Sequence, residues 1–141
     1  MTKILLALSL LLTSFCANSA VEISGVWARA TPPGQDVGAA YMNLKSDRTV
    51  QLIGAVTPIA DSVEFHEMSM NNGVMKMRML ETMPLPAGKI VKLTPGGFHL
   101  MLFDLKKQLI PGKSFEIELT LKDAKGKTRK QKISVPVKAD D

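Results

Sequence analysis

Cysteine is almost absent from this sequence, which has one, Cys16, among 141 residues. That residue lies in an N-terminal segment that we expect to be removed on export, so the mature chain has none. A chain without cysteine can form neither a disulfide nor a thiolate ligand to a metal. We expect the remaining residues, 21–141, to form one domain, since about 120 residues are enough for a packed core.

A long hydrophobic run is also missing. The longest apolar stretch, Ile4 to Leu12, is too short to span a bilayer permanently. It follows Lys3 and precedes several small residues, which is the three-part pattern of a secretory signal peptide. We therefore predict that residues 1–20 are a cleaved signal peptide and that the protein is exported. An anchor helix is the alternative, whereas a lipid anchor on Cys16 is disfavoured because the preceding Phe15 is bulky.

Acidic residues are outnumbered by basic ones, 13 to 18, which gives a formal charge of +5. Loss of Lys3 with the signal peptide lowers it to +4. In an exported protein this excess favours acidic protein surfaces or anionic headgroups as partners, although a solvated basic face is the simpler interpretation. Basic residues are concentrated at Lys76 and Arg78 and in "KDAKGKTRKQK", residues 122–132. Either group steers an acidic partner or protects a strand edge from aggregation.

Helical periodicity is missing as well. No segment keeps an apolar 3.6-residue period for three turns, whereas nine segments alternate as strands do. In "SFEIELTL", Phe115, Ile117, Leu119 and Leu121 point to one side and polar residues to the other. Signals such as "PPGQD", "NNG", "PGG" and "DAKGK" predict turns between the segments. The pattern predicts an all-β fold, one antiparallel β-sandwich of about eight or nine strands with Greek-key connections.

Histidine is scarce, with two residues in the chain, whereas methionine is abundant, with nine. Four methionines and one histidine lie in "HEMSMNNGVMKM", residues 66–77. The dipeptide Asn72-Gly73 within it predicts a two-residue type I′ hairpin turn. Such a turn places three pairs of side chains opposite each other on one face of the hairpin: Met70 and Met75, Met68 and Met77, and His66 and Met79.

The second histidine lies in a similar context. His99 and Met101 share one side of a predicted strand, about 6.6 Å apart along it, while Leu100 and Leu102 face the core. If the hairpin and this strand converge, two imidazoles and two thioethers meet. A single methionine or histidine in a strand is more often a packing residue. Both histidines, however, have a methionine two residues later (Met68 and Met101), and this coincidence favours a shared site.

The donor chemistry points to one kind of metal. Thioethers are soft, neutral ligands that suit Cu(I), whereas zinc prefers thiolate, imidazole or carboxylate. We expect no acidic residue on the ligand face, which disfavours calcium, magnesium and manganese. A blue-copper centre requires a cysteine thiolate and is excluded. The other methionines are interpreted as packing residues or as a lining of the site: Met42, Met70, Met75 and Met83.

The spacing of four residues matches a family pattern. His66, Met77, His99 and Met101 follow H-x10-M-x21-H-x-M, and the flanks "WARATPPG", "GVMKMR" and "GGFHLML" extend the match along the mature chain. The chain therefore resembles the periplasmic copper chaperones of the PCuAC family. The resemblance implies a cupredoxin-like β-sandwich with these four residues as Cu(I) ligands and Met68 as a possible additional ligand.

The resemblance also implies a role. Family members deliver copper in the periplasm to the CuA centre of cytochrome c oxidase, often alongside Sco-type thiol proteins. An enzyme is disfavoured, because the chain shows no carboxylate pair, Ser-His-Asp set or phosphate loop. Two alternatives remain, namely general copper storage or resistance, and a metal-free interaction module that uses the sandwich edges. Trp27, in the shared "WARA" stretch, is expected to pack in the core.

Overall fold

The computed structural model describes residues 20–139, so the predicted signal peptide lies, apart from Ala20, outside the described residues. This part of the chain forms β-strands joined by turns, with no helix long and apolar enough to cross a membrane. The ten strands are β1 Glu22–Arg29, β2 Gly38–Lys45, β3 Val50–Val56, β4 Ala60–Asn71, β5 Val74–Leu80, β6 Met83–Leu85, β7 Ile90–Leu93, β8 Phe98–Leu105, β9 Ser114–Asp123 and β10 Thr128–Lys138.

The strands form two sheets that meet at β10. The first has the order β5-β4-β8-β7-β2-β1, with β8 also paired to β2, and the second has the order β10-β9-β3-β6. The predicted antiparallel all-β sandwich is confirmed, and two short pairings within it, β1–β10 and β7–β8, are parallel. The strands β1 and β10 are the first and last among the described residues. Because no turn joins them directly, the local sequence does not indicate that they pair.

One strand was missed in the sequence. The three-residue β6 pairs with β3 through Leu52 opposite Met83 and Val50 opposite Leu85. Three residues with a central proline are too few to show alternation, and proline is usually confined to sheet edges. The strand β6 is such an edge, and it raises the predicted eight or nine strands to ten.

The core lies between the two sheets. Six of its fully buried side chains are Leu44, Leu100 and Leu102 from the first sheet, and Leu52, Ile117 and Leu119 from the second. The predicted inward alternation of β8 and β9 is therefore confirmed. Each such side chain contributes about 1.5–3 kcal/mol through burial. Since Leu100 and Leu102 face inward, the residues between and beside them on β8 face outward.

Candidate metal centre

The Met-rich hairpin has the predicted register. Asn72 and Gly73 have φ angles of 50° and 75°, both positive as a type I′ turn requires. The opposed pairs are Met70 and Met75, Met68 and Met77, and His66 and Met79. Opposed residues of antiparallel strands have Cβ atoms about 4.5–5.5 Å apart. The hairpin thus presents a ladder of thioether and imidazole side chains on its outer face.

The second histidine joins this ladder directly. Strand β4 pairs antiparallel with β8, and the register places His66 opposite His99. Their ring centroids are 5.7 Å apart, and the two residues are only 8% and 4% exposed. Both imidazoles are thus largely withdrawn from water although they lie on the outer side of the sheet. The predicted convergence of the hairpin with β8 is therefore confirmed.

Four of the five predicted site residues line one cleft of about 260 Å³: Met68, Met77, His99 and Met101. The other lining residues come from the end of β1 and the segment after it, from the first half of β2, and from the turn before β8. His66 does not line the cleft, but lies beside His99 as the next ring of the ladder. The structure thus gathers all five residues on the outer face of the first sheet, with thioethers at the opening and imidazoles below.

A hydrogen bond to a carboxylate orients His66. Its Nε2–H donates to Glu64 Oε2 at 2.8 Å, because a carboxylate can only accept. In the neutral ring the lone pair is then on Nδ1, which is buried and has no hydrogen-bond partner. A buried nitrogen without a partner is costly unless a ligand completes it. The lone pair of this nitrogen is therefore available to a metal ion.

The expectation that no acidic residue lies on the ligand face is wrong. Glu64 precedes His66 by two residues, so it is on the same face of β4, and it stands opposite Met101 on β8. Glu64 lies just outside the Met-rich segment 66–77, from which the ligand face was predicted. Glu64 and His66 are consistent with a carboxylate that fixes the tautomer of a metal-binding histidine, an arrangement common in metal sites. Among the described residues, no group of three His, Cys, Asp or Glu side chains lies close enough to hold a metal ion, so a metal bound here would need thioether ligands as well.

His99 is oriented by the backbone. Its Nδ1–H donates to the carbonyl oxygen of Gly97 at 3.1 Å, which leaves the lone pair on Nε2. Burial lowers the pKa of His99 below its ordinary value, and the nearby His66 lowers it further, while the Gly97 carbonyl opposes them. Both rings thus have one nitrogen occupied by a structural hydrogen bond and the other available. The sequence could not reveal this, because the acceptor is a main-chain atom of the "PGG" turn.

Aromatic rings surround the histidines. Tyr41 lies 6.5 Å from His99 and Phe103 lies 5.8 Å from His66, measured between ring centroids. Trp27 stacks on Tyr41 at 4.6 Å, on the outer face of the sheet, so its predicted place in the core is wrong. Alternation explains the difference, because the neighbouring Ala28 takes the inward position of β1. These rings give the histidines an apolar surround.

The eight methionines among the described residues differ widely in burial. Met42 and Met83 are each 1% exposed, so their interpretation as packing residues is confirmed. Met70 and Met75 are 65% and 55% exposed, so packing is wrong for both. Met77 is 48% exposed, whereas Met68 and Met101 are less exposed than Met77. The thioethers beside the histidines thus range from accessible to protected.

The chain is similar in sequence to a described protein family. A family model described as "Putative lipoprotein LpqE-like" matches residues 21–137. A protein of Leifsonia xyli subsp. xyli named "Putative lipoprotein Lxx21020" is 34% identical over 121 residues, which cover 84% of this chain and 69% of that protein.

Two solved structures are similar over most of their length. A copper-bound PCuAC domain from PmoF2 is 27% identical, with a TM-score of 0.68, covering 85% of this chain and 93% of that one. The Cu(I) form of DR1885 from Deinococcus radiodurans is 33% identical, with a TM-score of 0.58, covering 86% and 81%. From the matched family model, the shared fold and these relatives, we conclude that the chain belongs to the LpqE-like family of PCuAC-type proteins.

Proposed function

We propose that this protein binds one Cu(I) ion on the outer face of the first sheet and carries it to an acceptor. The ligands are His66, Met77, His99 and Met101, with Met68 as an additional thioether. The observation that carries the proposal is the buried, unpartnered Nδ1 of His66 beside a second oriented imidazole and a cleft lined by thioethers. The copper-bound structures of similar proteins support the choice of metal.

The donor set favours carriage over catalysis. Imidazole and thioether are neutral, and thioethers prefer the monovalent, soft state of copper. Glu64 lies beside them, but its oxygen already accepts the proton of His66. Met77, about half exposed at the cleft, is the donor that an incoming ligand reaches first. We infer that copper leaves by ligand exchange, in which a soft donor of the acceptor replaces one thioether at a time.

The proposed acceptor is the CuA-containing subunit of cytochrome c oxidase in the periplasm, with Sco-type copper and thiol proteins acting alongside. This part rests on the family resemblance. Export of the chain by residues 1–20 would place it in the same compartment, and the relatives described as lipoproteins are compatible with export. For this chain we favour a cleaved signal over a lipid anchor, since Phe15 precedes Cys16.

Basic side chains on two hairpins are proposed to steer the encounter. Lys76 and Arg78 lie on the face of the hairpin opposite the thioethers, and Arg78 donates to Glu67 at 2.7 Å. On the β9–β10 hairpin, Lys130 and Lys132 lie within 3.5 and 3.6 Å of glutamate oxygens. These pairs reduce the net charge of both groups. Steering would therefore be modest and would weaken as salt screens it over about 8 Å.

Copper uptake is tested first by titrating the mature domain with Cu(I) under a reducing agent. We expect one tightly held ion, with X-ray absorption showing sulfur and nitrogen neighbours. An oxygen-dominated shell contradicts the proposed site. Absence of uptake favours the metal-free interaction module instead.

Delivery is tested separately by mixing the loaded domain with an apo CuA domain. We expect copper to appear in the acceptor, faster at low salt, and more slowly for Lys76→Glu than for the control Lys89→Glu, an exposed lysine outside both basic groups. Tight uptake without transfer favours storage or resistance. Transfer rates that change neither with salt nor in Lys76→Glu would reject charge steering but not copper delivery.

A further inference from the structure

Two exposed methionines at the end of the hairpin have no role in the proposed copper site. Met70 and Met75 are 65% and 55% exposed. Leaving such a side chain in water forgoes about 1.5–3 kcal/mol of burial. Among the described residues, eight large hydrophobic side chains are exposed, and four of these are methionines, all on this hairpin. Because half of the exposed hydrophobic residues are methionines of one hairpin, we attribute their exposure to a role of the thioether sulfur and not to hydrophobic contact.

The register brings the two thioethers together. Met70 stands directly opposite Met75, immediately before the Asn71–Val74 pair that closes the turn. Opposed Cβ atoms lie about 4.5–5.5 Å apart, and the unbranched methionine side chain reaches easily across that gap. The positive φ angles of Asn72 and Gly73 fix the turn and hence this pairing. Two sulfurs can therefore approach one ion from both strands.

The surroundings of the pair are electrically neutral on that face. Alternation places Glu67, Lys76 and Arg78 on the opposite face, and Glu64, which lies on the same face, is six residues from Met70 along β4. The nearest members of the ladder are Met68 and Met77, two residues away on each strand or about 7 Å along it. A neutral pair of thioethers suits a soft monovalent cation and not a hard divalent one.

We propose that Met70 and Met75 form a second, weaker Cu(I) site at the tip of the hairpin, one rung outward from Met68 and Met77. The inference rests on the proposed function, since it takes the tip as an outer position of the same copper path. Two thioethers offer fewer donors than the inner site and no imidazole. The tip site therefore fills after the inner site and releases its ion to weaker competitors.

The test uses the mature domain labelled with ¹³C at the methionine methyl groups and titrated with Cu(I) under a reducing agent. The first equivalent should shift the Met77 and Met101 methyl signals. Further Cu(I) should shift those of Met70 and Met75. The methyl signals of Met42 and Met83, each 1% exposed, serve as internal controls and should stay in place.

Paired variants separate the tip from the rest of the ladder. The double variant Met70→Leu with Met75→Leu keeps apolar volume but removes both sulfurs, so it should lose the second binding event and keep the first. The control Met79→Leu removes an equally exposed sulfur, 57% exposed, from the same strand and should keep both events. Loss of the second event in both variants alike overturns the proposed pair.

The two proposals fail in different ways. Methyl shifts at Met77 and Met101 without any response of Met70 and Met75 at excess Cu(I) overturn the tip site and leave the proposed function intact. No response at Met77 and Met101 refutes the copper site itself, and the tip site with it.

Discussion

Replacement of Glu64 by alanine should weaken Cu(I) binding without unfolding the domain. In the wild type, the Glu64 carboxylate accepts the Nε2 proton of His66 at 2.8 Å and thereby keeps the lone pair on Nδ1. Without that acceptor, the ring can adopt the other tautomer or rotate, and part of the population no longer offers Nδ1 to the metal. Glu64 is therefore a positioning residue, and its removal acts through His66.

The size of the effect follows from the exposure of the carboxylate. Loss of such a supporting hydrogen bond typically lowers metal affinity by about 10- to 100-fold. The Glu64 side chain is 37% exposed, so water competes for its oxygens. We therefore expect the lower end of that range, about tenfold, which corresponds to about 1.4 kcal/mol of binding free energy.

A matched control lies three residues away on the same strand. Glu67 also accepts a short bond, 2.7 Å from Arg78, but on the opposite face of the hairpin. Glu67→Ala removes the same charge from nearly the same place, so it should leave Cu(I) affinity within about twofold of the wild type. The comparison separates orientation of His66 from a general effect of negative charge.

Affinity is measured anaerobically by competition with a chromophoric Cu(I) chelator. The tautomer of His66 is measured independently from the ring ¹⁵N shifts of the copper-free domain. We expect Glu64→Ala, and not Glu67→Ala, to change both. Equal affinity losses in the two variants, or a weakened Glu64→Ala domain whose His66 keeps its Nε2–H tautomer, would refute the reasoning.

Three further outcomes are expected. Met101→Leu should lower Cu(I) affinity by more than Glu64→Ala does, whereas the buried control Met42→Leu should change only the free energy of unfolding, by less than about 1.5 kcal/mol, as chelator competition and urea denaturation would show. Burial lowers the pKa of His99, so the unfolded chain gains that proton at a higher pH than the folded one. The contribution of His99 to the stability of the copper-free domain should thus be fully present above about pH 6.5 and should be lost as the pH falls below that value. In urea denaturation at several pH values, the stability of His99→Gln should therefore fall less steeply. Gly73→Ala should destabilise the domain by about 1–2 kcal/mol and speed amide exchange in the hairpin, because φ is +75° and no atom lies within 4 Å of the added Cβ, so backbone strain alone sets the cost.

Several strands and the Met-rich hairpin could be predicted from short segments of the sequence. Alternation along "SFEIELTL" and "HLMLFDL" identified the inward residues of β9 and β8, because a strand has a period of two. The dipeptide Asn72-Gly73 specified the hairpin register, because it favours the one turn that needs two positive φ angles. With that register, the ladder of methionines and His66 followed directly. These inferences share one property, namely that each depends on residues close together in the chain.

Contacts between distant segments were decided only by the tertiary structure. The pairing of β4 with β8, which sets His66 opposite His99, joins residues 33 positions apart. The parallel β1–β10 pair joins the two ends of the domain, and Trp27 lies outside because Ala28 fills the inward position. Orientation of the histidines also depends on tertiary placement, through the carbonyl of Gly97 and the carboxylate of Glu64. Residue spacing thus indicated which side chains share a face, and sheet packing decided which nitrogen of each imidazole makes an internal hydrogen bond.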